Sequence, residues 1–200
     1  MKINIGKTEL IHFVGIGGIG MSGLALIMDS LGFKIQGSDK SDNKNLNLLR
    51  KRKIPIYLNH NKQNIKNCTV LVVSSAIKKS NPEYRHAKKL NLPIYKRGEL
   101  LGHIVSLMKN IVVTGSHGKT TTTSILSNIM NYAKLDPTII NGGVLNSIGS
   151  SAKLGKSDWS LVESDESDGS FLQIPFNYSI ITNIDNEHLD YYRTMKNLKN

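Results

Sequence analysis

Residues 10–28 read LIHFVGIGGIGMSGLALIM, and this stretch decides the fold of the first half of the chain. The apolar run Ile11–Val14 predicts a buried parallel strand, and Met21–Ser30 has the spacing of a helix that ends at Gly32. Between them, Gly15–Gly20 satisfies the pattern G-x-G-x-x-G, which predicts a tight turn from strand to helix. Glycines this dense argue against a signal sequence or membrane span, although the apolar run is long enough to suggest one.

The glycine turn is typical of sites that bind the diphosphate of a nucleotide. Its four glycines are Gly15, Gly17, Gly18 and Gly20. They let backbone N–H groups reach a pyrophosphate at the positive end of the helix. Asp39, nineteen residues beyond Gly20 and after the predicted strand Phe33–Gln36, is placed to accept a hydrogen bond from a ribose hydroxyl. The spacing does not separate NAD from another nucleotide, and a turn that only packs helix on strand is the alternative without function.

Strands and helices continue to alternate after this turn. Val70–Val73 is an apolar strand that ends at Ser74-Ser75, a helix begins at Asn81-Pro82 and runs through Leu90, and Pro93–Tyr95 is a further short strand. This alternation predicts a parallel sheet with helices on both faces. We therefore expect a Rossmann-like α/β domain over residues 1–106.

The same strand, turn and helix pattern starts again at residues 111–123, IVVTGSHGKTTTT. Ile111–Thr114 predicts a strand and Thr120–Ala133 a helix, followed by strands near Thr138–Ile140, at Trp159–Glu163 and at Tyr178–Thr182. A second strand, loop and helix opening predicts a second α/β unit, with a boundary near residues 105–110. We assign residues 107–200 to part of a P-loop ATPase α/β domain.

The loop of this second unit has the side chains of a phosphate loop. Such a loop needs backbone donors around the anion, a lysine for the β- and γ-phosphates, and a neighbouring hydroxyl for Mg²⁺. Lys119 and Thr120 meet those needs, although Val113 stands where the pattern G-x-x-x-x-G-K-[ST] has its first glycine. The predicted ATP-binding residues are Gly115, Ser116, His117, Gly118, Lys119, Thr120 and Thr121.

Acidic residues follow the next two strands. The first of these strands ends at Glu163 and continues as SDESDG, and the second continues as TNIDNEHLD over residues 182–190. Ligands bind beyond the carboxyl ends of strands in open α/β sheets, so Glu163 is the predicted Mg²⁺ ligand beside Thr120. His188 is predicted to hold a second Mg²⁺, although oxygen ligands are the usual preference of that ion. Asp165, Glu166 and Asp168 are expected mainly to form a solvated turn.

Charge is unevenly distributed along the 200 residues, whose net charge is +11. Residues 1–157 hold 23 Lys and Arg against 7 Asp and Glu, whereas residues 158–200 hold 3 against 8. A nucleic-acid-binding ATPase is an alternative that rests on net charge alone, because the lysines lack the arginine and aromatic neighbours that stack bases. The single cysteine, Cys68, excludes a disulfide framework. We predict a cytoplasmic protein with neither a nucleic acid nor a membrane as partner.

Four motifs in this order resemble the Mur ligases of peptidoglycan synthesis. They are the glycine turn, TGSHGKTTTT, ESDESDGSF and TNIDNEHLD, and together they span residues 12–190. Ser74-Ser75-Ala76-Ile77 also resembles the N-terminal domain of that family. The resemblance implies that the first domain binds the uridine diphosphate of UDP-N-acetylmuramate, and not NAD. The implied UDP-sugar-binding residues are Gly15, Gly17, Gly18, Gly20, Asp39, His60, Ser74 and Ser75.

The resemblance also implies a reaction. The γ-phosphoryl group of ATP would move onto the muramoyl carboxylate, and the amine of L-alanine would then attack the acyl phosphate. Lys119, Glu163 and His188 are the implied catalytic residues, with Thr120 and Glu163 on one Mg²⁺ and His188 on a second. A recycling ligase that joins a tripeptide to the same UDP-sugar is the near alternative. An NAD-dependent dehydrogenase is the alternative from another class, and it leaves the phosphate loop unexplained.

Members of this family continue beyond the point that corresponds to Asn200, so we expect the chain to be a fragment. The first domain is expected to fold alone and to bind the UDP-sugar. Half of a parallel sheet leaves an open edge and uncovered apolar faces, so residues 106–200 are expected to be only marginally stable. We therefore expect little or no ligase activity from the 200 residues alone.

Overall fold

The computed structural model describes residues 5–145, 150–164, 174–187 and 189–199. Two compact units divide the chain, Met1–Leu101 and Gly102–Asn200, and each contains a five-stranded sheet. The first unit alternates strands with helices, and the second opens with a strand, a loop and a helix, as the apolar runs and glycine turns predict. The α/β class is therefore confirmed.

The first unit is a parallel sheet with β1 at its centre. The order of its strands is β3-β2-β1-β4-β5, and all neighbours pair in parallel. The strands are β1 (Leu10–Val14), β2 (Lys34–Ser38), β3 (Ile56–Tyr57), β4 (Val70–Val73) and β5 (Ile94–Lys96). The helices are α1 (Ile19–Ser30), α2 (Lys44–Lys51) and α3 (Pro82–Lys89), with a 3₁₀ turn at Lys62–Ile65. Helix α4 (Arg97–Ser106) begins in this unit and ends in the second. The order reverses direction beside β1, and such a point is where open α/β sheets bind their ligands.

Three elements of the first unit were not predicted from the sequence: α2, β3 and α4. Helix α2 is polar and buries only Leu46 and Leu49, so its apolar pattern is too sparse to stand out. It is started by Asn43, whose side chain accepts hydrogen bonds from the N–H groups of Asn45 and Leu46 at 3.0 and 3.1 Å. Strand β3 has only two residues, which is shorter than any periodic pattern can reveal.

The second unit has a mixed sheet in the order β10-β6-β9-β7-β8. Its strands are β6 (Lys109–Thr114), β7 (Thr138–Leu145), β8 (Ser150–Lys153), β9 (Trp159–Glu163) and β10 (Tyr178–Ile181), and its helices are α5 (Lys119–Tyr132), α6 (Leu189–Tyr192) and α7 (Met195–Lys199). This sheet is parallel except at one edge, where β8 runs antiparallel to β7. Only a few residues join these two strands, whereas a parallel connection needs a crossover of about a dozen or more.

Apolar side chains remain exposed in the second unit. Ile125, Ile129 and Tyr132 share one face of α5, and their exposed fractions are 55%, 58% and 93%. Tyr178 and Ile181 on the edge strand β10 are 62% and 59% exposed. No helix in the described part of the chain is long and apolar enough to cross a membrane.

Candidate functional site

The carboxyl ends of three parallel strands are level in the first unit. Val14 at the end of β1 is in register with Ser38 of β2 and with Val73 of β4. The residues that follow these strands, Gly15, Asp39 and Ser74, therefore meet at one edge of the sheet. The β-carbon of Ser74 lies 3.2 Å from the position that a Cβ on Gly15 would take. Ser75, the next predicted residue, is exposed beside it.

Hydrogen bonds within the first unit hold the glycine turn closed. The N–H groups of Gly15 and Ile16 donate to the carbonyl oxygen of Ser38 at 2.8 and 3.0 Å, and that of Gly18 donates to the carbonyl oxygen of Gly15 at 3.2 Å. The N–H of Gly17 donates to Asp39 Oδ2 at 2.8 Å. Four successive amides, those of residues 15–18, are thus engaged inside the turn.

Asp39 lies against the turn, where the sequence places it, and its carboxylate also binds the backbone of the turn. Its Oδ2 accepts the hydrogen bond from Gly17, and its Oδ1 accepts one from the N–H of Lys40 at 2.7 Å. A Cβ on Gly17 would lie 2.9 Å from Asp39 Oδ2 and 2.7 Å from Asn43 Nδ2, so only glycine permits this approach. An ionised carboxylate has about four acceptor positions, which leaves capacity for a ligand hydroxyl.

A fully buried carboxylate, Glu83, organises the polar side chains beneath this edge. Its Oε2 accepts a hydrogen bond from Ser38 Oγ at 2.7 Å and lies 3.0 Å from His60 Nδ1. Its Oε1 accepts from Asn64 Nδ2 at 2.7 Å and lies 3.5 Å from Nε2 of the buried His12, which is long for a hydrogen bond. His60, predicted at the UDP-sugar, therefore directs Nδ1 to the interior of the unit.

Burial by itself would raise the pKa of Glu83. The nearby His12 and the hydrogen bonds from Ser38 and Asn64 act in the opposite direction, and the net result is a pKa below the ordinary value. Sequence reasoning missed this residue because an acid in the first turn of a helix is typical of a solvated helix end. Arg97 was also missed, although its Nη1 lies 3.0 Å from the position of a Cβ on Gly20 and so places a cation beside the glycine turn.

The phosphate loop of the second unit lies between β6 and α5. Helix α5 begins at Lys119, with Gly118 as its N-cap. Val113 of β6 is in register with Glu163 of β9, which brings Glu163 to the same edge as the loop. Thr120 Oγ1 donates a hydrogen bond to Glu163 Oε1 at 2.8 Å. The structure therefore brings together the hydroxyl and the carboxylate that the sequence assigned to one metal ion.

The ammonium group of Lys119 lies over the loop in this structure. Its Nζ donates to the carbonyl oxygen of Gly115 at 2.6 Å and lies within 3.3 Å of that of Ser116. Lys119, Thr120 and Glu163 thus converge at one corner of the sheet, at the positive end of α5. This arrangement is chemically suited to a polyphosphate anion.

The segment after β10 holds the loop from its other side. The N–H of Ser116 donates a hydrogen bond to the carbonyl oxygen of Asn183 at 3.1 Å. Thr182 Oγ1 donates to the carbonyl oxygen of His117 at 2.6 Å. Gly115 has a φ of +125°, and a Cβ there would collide with Thr182 Oγ1. The His117 ring points away from the loop, with Nε2 3.5 Å from Asp185 Oδ2 and 3.6 Å from Glu187 Oε1.

His188, which was predicted as a catalytic residue and as the ligand of a second metal ion, lies outside the described residues, as do Asp165, Glu166 and Asp168. Across the described ranges, no three His, Cys, Asp or Glu side chains form a metal-binding group. Glu163 Oε2 is nevertheless buried without a hydrogen-bond partner in the described structure. One carboxylate and one hydroxyl suit Mg²⁺, which keeps several of its waters, so these residues fit that ion.

Comparison with protein families matches both units of the chain. The model described as "Mur ligase family, catalytic domain" matches residues 10–109, and the model described as "Mur ligase middle domain" matches residues 113–200. Among curated proteins, the UDP-N-acetylmuramate–L-alanine ligase of Pelagibacter ubique is 66% identical over 199 residues, which are 100% of this chain and 43% of that protein. The ligase of the same name from Brucella ovis is 47% identical over 96% of this chain and 40% of its own length.

Solved structures give the same result. The crystal structure of the UDP-N-acetylmuramate–alanine ligase MurC from Thermotoga maritima matches with a TM-score of 0.82 and 33% identity, over 94% of this chain and 45% of that one. The UDP-N-acetylmuramate:L-alanyl-γ-D-glutamyl-meso-diaminopimelate ligase of Neisseria meningitides matches with a TM-score of 0.80 and 26% identity, over 94% of this chain and 64% of that one. The chain thus spans less than half the length of the curated relatives it matches.

Proposed function

The chain belongs to the Mur ligase family, and we propose on that premise that it carries the two nucleotide sites of an ATP-dependent ligase that joins L-alanine to UDP-N-acetylmuramate. The observation that carries the proposal is the convergence of Lys119, Thr120 and Glu163 at the end of the second sheet. The names of the relatives at 66% and 47% identity support the choice of substrates. The rest of the reaction would depend on the part of these relatives that this chain does not cover.

Charge explains why an amide-forming ligase needs this corner. The muramoyl carboxylate and the triphosphate of ATP repel each other, so a cation must bring the carboxylate to the γ-phosphorus. In the proposal the ammonium of Lys119 leaves its loop carbonyls and binds the β- and γ-phosphates. It then stabilises the charge that develops as the bond from the γ-phosphorus to the bridging oxygen breaks, the γ-phosphoryl group moves onto the carboxylate and ADP is released. The amine of L-alanine displaces phosphate from the acyl phosphate and forms the amide bond.

Thr120 and Glu163 would hold one Mg²⁺, and His188 would hold a second. The ions supply charge stabilisation on the phosphate oxygens when bound. The orphaned Oε2 of Glu163 supports its assignment as a ligand, because a buried carboxylate oxygen without a donor is otherwise costly. The hydroxyl of Thr120, which now donates to Glu163, would turn its oxygen toward the ion.

The UDP-sugar is assigned to the first unit. In this proposal residues 1–106 form its domain and residues 107–200 belong to the ATP domain. The glycine turn, Asp39, Ser74 and Ser75 would surround the uridine diphosphate, with the diphosphate at the first turn of α1. His60 completes the proposed set, although its side chain is only 7% exposed. We place the reaction in the cytoplasm, where ATP is present and a lone cysteine such as Cys68 stays reduced.

Replacing Asp39 with alanine should weaken binding of UDP-N-acetylmuramate by about 1–3 kcal/mol, or roughly 5–150-fold, because the turn loses its bond to Gly17 and the ligand loses an acceptor. Calorimetric titration of the 200-residue chain measures this affinity. Asp42→Ala is the matched control, because Asp42 is a nearby acid whose exposed carboxylate pairs with Arg50. Equal affinities for Asp39→Ala and the wild-type chain would remove Asp39 from the site.

Two alternative functions, a recycling ligase and an NAD-dependent dehydrogenase, can be distinguished by experiment. The Neisseria structure favours the recycling ligase as a second candidate, and phosphate release from a completed ligase with L-alanine or with tripeptide as the amine distinguishes the two. An NAD-dependent dehydrogenase would bind NADH in the titration cell and would not bind UDP-N-acetylmuramate. Binding of NADH alone would therefore replace the ligase proposal.

A further inference from the structure

The backbone N–H groups of the phosphate loop fall into two sets: those that donate to Asn183, and those at the start of α5. The N–H groups of Ser116 and His117 donate to Asn183, at its carbonyl oxygen and its side-chain Oδ1, at 3.1 and 2.9 Å. The first main-chain bond of α5 runs from the N–H of Thr122 to the carbonyl oxygen of Gly118 at 2.9 Å. The N–H groups of Thr120 and Thr121 therefore have no acceptor within the helix and lie at its positive end.

Asn183 makes an unusually complete contact with one residue of the loop. Its Oδ1 accepts from the N–H of His117, and its Nδ2 donates to the carbonyl oxygen of the same residue at 3.0 Å. Both backbone polar groups of His117 are thus matched by one side-chain amide, as they would be by a neighbouring strand. This pairing also fixes the orientation of the amide, because the opposite orientation would place donor against donor.

The contact compensates for the short loop. The longer phosphate-loop pattern has a glycine where Val113 stands, and Val113 here is a buried residue of β6. The loop from Gly115 to Gly118 therefore has few bonds of its own to fix its path, and Asn183 with Thr182 supplies them from the end of β10. An unfixed loop would have to be ordered when a phosphate binds, which lowers affinity.

We propose that Asn183 is a positioning residue of the phosphate loop. Its side-chain amide holds the backbone of His117, which turns the first half of the loop toward β10 and leaves the first turn of α5 for the phosphates. Asn183 acts through the loop and does not touch the nucleotide. The inference rests on the proposed ATP site for its consequence in binding, and on the described contacts for the brace itself.

Amide hydrogen exchange in the 200-residue chain without ligand tests the brace directly. In Asn183→Ala the amides of Ser116 and His117 should exchange at least tenfold faster relative to those of Val112 and Val113 in β6. The matched control is Asn177→Ala, because Asn177 Oδ1 likewise accepts from a backbone N–H, that of Asn110 at 2.9 Å, at the opposite end of β10. This control should leave the ratio of loop to β6 exchange within twofold of wild type.

Asn183→Asp keeps the size of the side chain, so it separates the loss of a hydrogen bond from a general loss of stability. It keeps an acceptor for the N–H of His117 but places an oxygen where Nδ2 donates to the carbonyl oxygen of His117 at 3.0 Å, so its loop exchange should also be faster than in wild type. Unchanged exchange of the Ser116 and His117 amides in Asn183→Ala, or equally accelerated exchange in Asn177→Ala, would overturn the proposal that Asn183 holds the loop. An aspartate variant as well protected as wild type would contradict the role of Nδ2.

Titration of the same variants with ATP and Mg²⁺ tests the consequence. Asn183→Ala should bind ATP at least tenfold more weakly than wild type, and Asn177→Ala within twofold of it. Faster loop exchange with unchanged ATP affinity would overturn the positioning role. If the wild-type chain failed to bind ATP while Asn183→Ala still released the loop, the brace would be supported and the proposed ATP site would be the part that failed.

Discussion

Lys119→Ala should weaken ATP binding by the 200-residue chain about 10–150-fold, because charge-assisted hydrogen bonds contribute roughly 1.5–3 kcal/mol each. The ammonium is already held at the loop, 2.6 Å from the carbonyl oxygen of Gly115, so it has only a short path to a bound phosphate. In a ligase completed with the remaining sequence of a relative, turnover should fall by about 10²–10³ as well, since the lysine stabilises charge in the transition state.

Lys109→Ala is the control for this prediction. Lys109 is the first residue of β6, at the end of that strand opposite the phosphate loop, and its exposed ammonium pairs with the exposed Asp158 at 3.3 Å. Its loss should leave ATP affinity within about twofold, because exposed ion pairs contribute little. The same ATP affinity and turnover in Lys119→Ala as in wild type would remove the lysine from the proposed mechanism.

Glu83→Ala should destabilise the first unit by about 3–5 kcal/mol, which is the usual cost of breaking a buried charged network by removal of one member. Ser38, Asn64 and the two histidines would lose their common acceptor inside a closed core. Urea denaturation measures the loss in free energy of unfolding. Glu99→Ala, which removes an exposed carboxylate from the start of α4, should cost far less.

The same carboxylate should make the first unit sensitive to acid. The pKa of Glu83 is lowered from its ordinary value of 4.5, so its contribution to stability is complete above that value and is lost as the pH falls through the folded-state pKa. The free energy of unfolding at pH 3.5 should therefore fall below that at pH 7, and the fall should be smaller in Glu83→Gln. An identical acid dependence in the two proteins would contradict this assignment.

Local sequence was sufficient for the elements that carry both loops. The run Ile11–Val14 with its glycine turn, and the run Ile111–Thr114 before Gly115, each have an unambiguous apolar pattern and a steric requirement for glycine. The two strand ends that carry Asp39 and Glu163 followed from the same patterns. These features depend on neighbours in the chain, which a sequence shows directly.

The rest could not be predicted because it depends on contacts between distant segments. Glu83 is an ordinary helix-end acid until tertiary packing buries it against Ser38 and His60, which lie 45 and 23 residues away. Asn183 was read only as part of an acidic strand end, yet it pairs with a backbone 66 residues earlier. Strand β8 escaped notice because SSAK has no apolar run and owes its place to pairing with β7.

The most direct test of the central claim is the dependence of ATP binding on Mg²⁺, measured by calorimetry for the wild-type chain and for Glu163→Gln. If Lys119, Thr120 and Glu163 form one metal–triphosphate site, Mg²⁺ should strengthen ATP binding by about tenfold or more in the wild-type chain, and Glu163→Gln should lose most of that increase. Binding of ATP that is indifferent to Mg²⁺, or an equal increase in both proteins, would contradict the account.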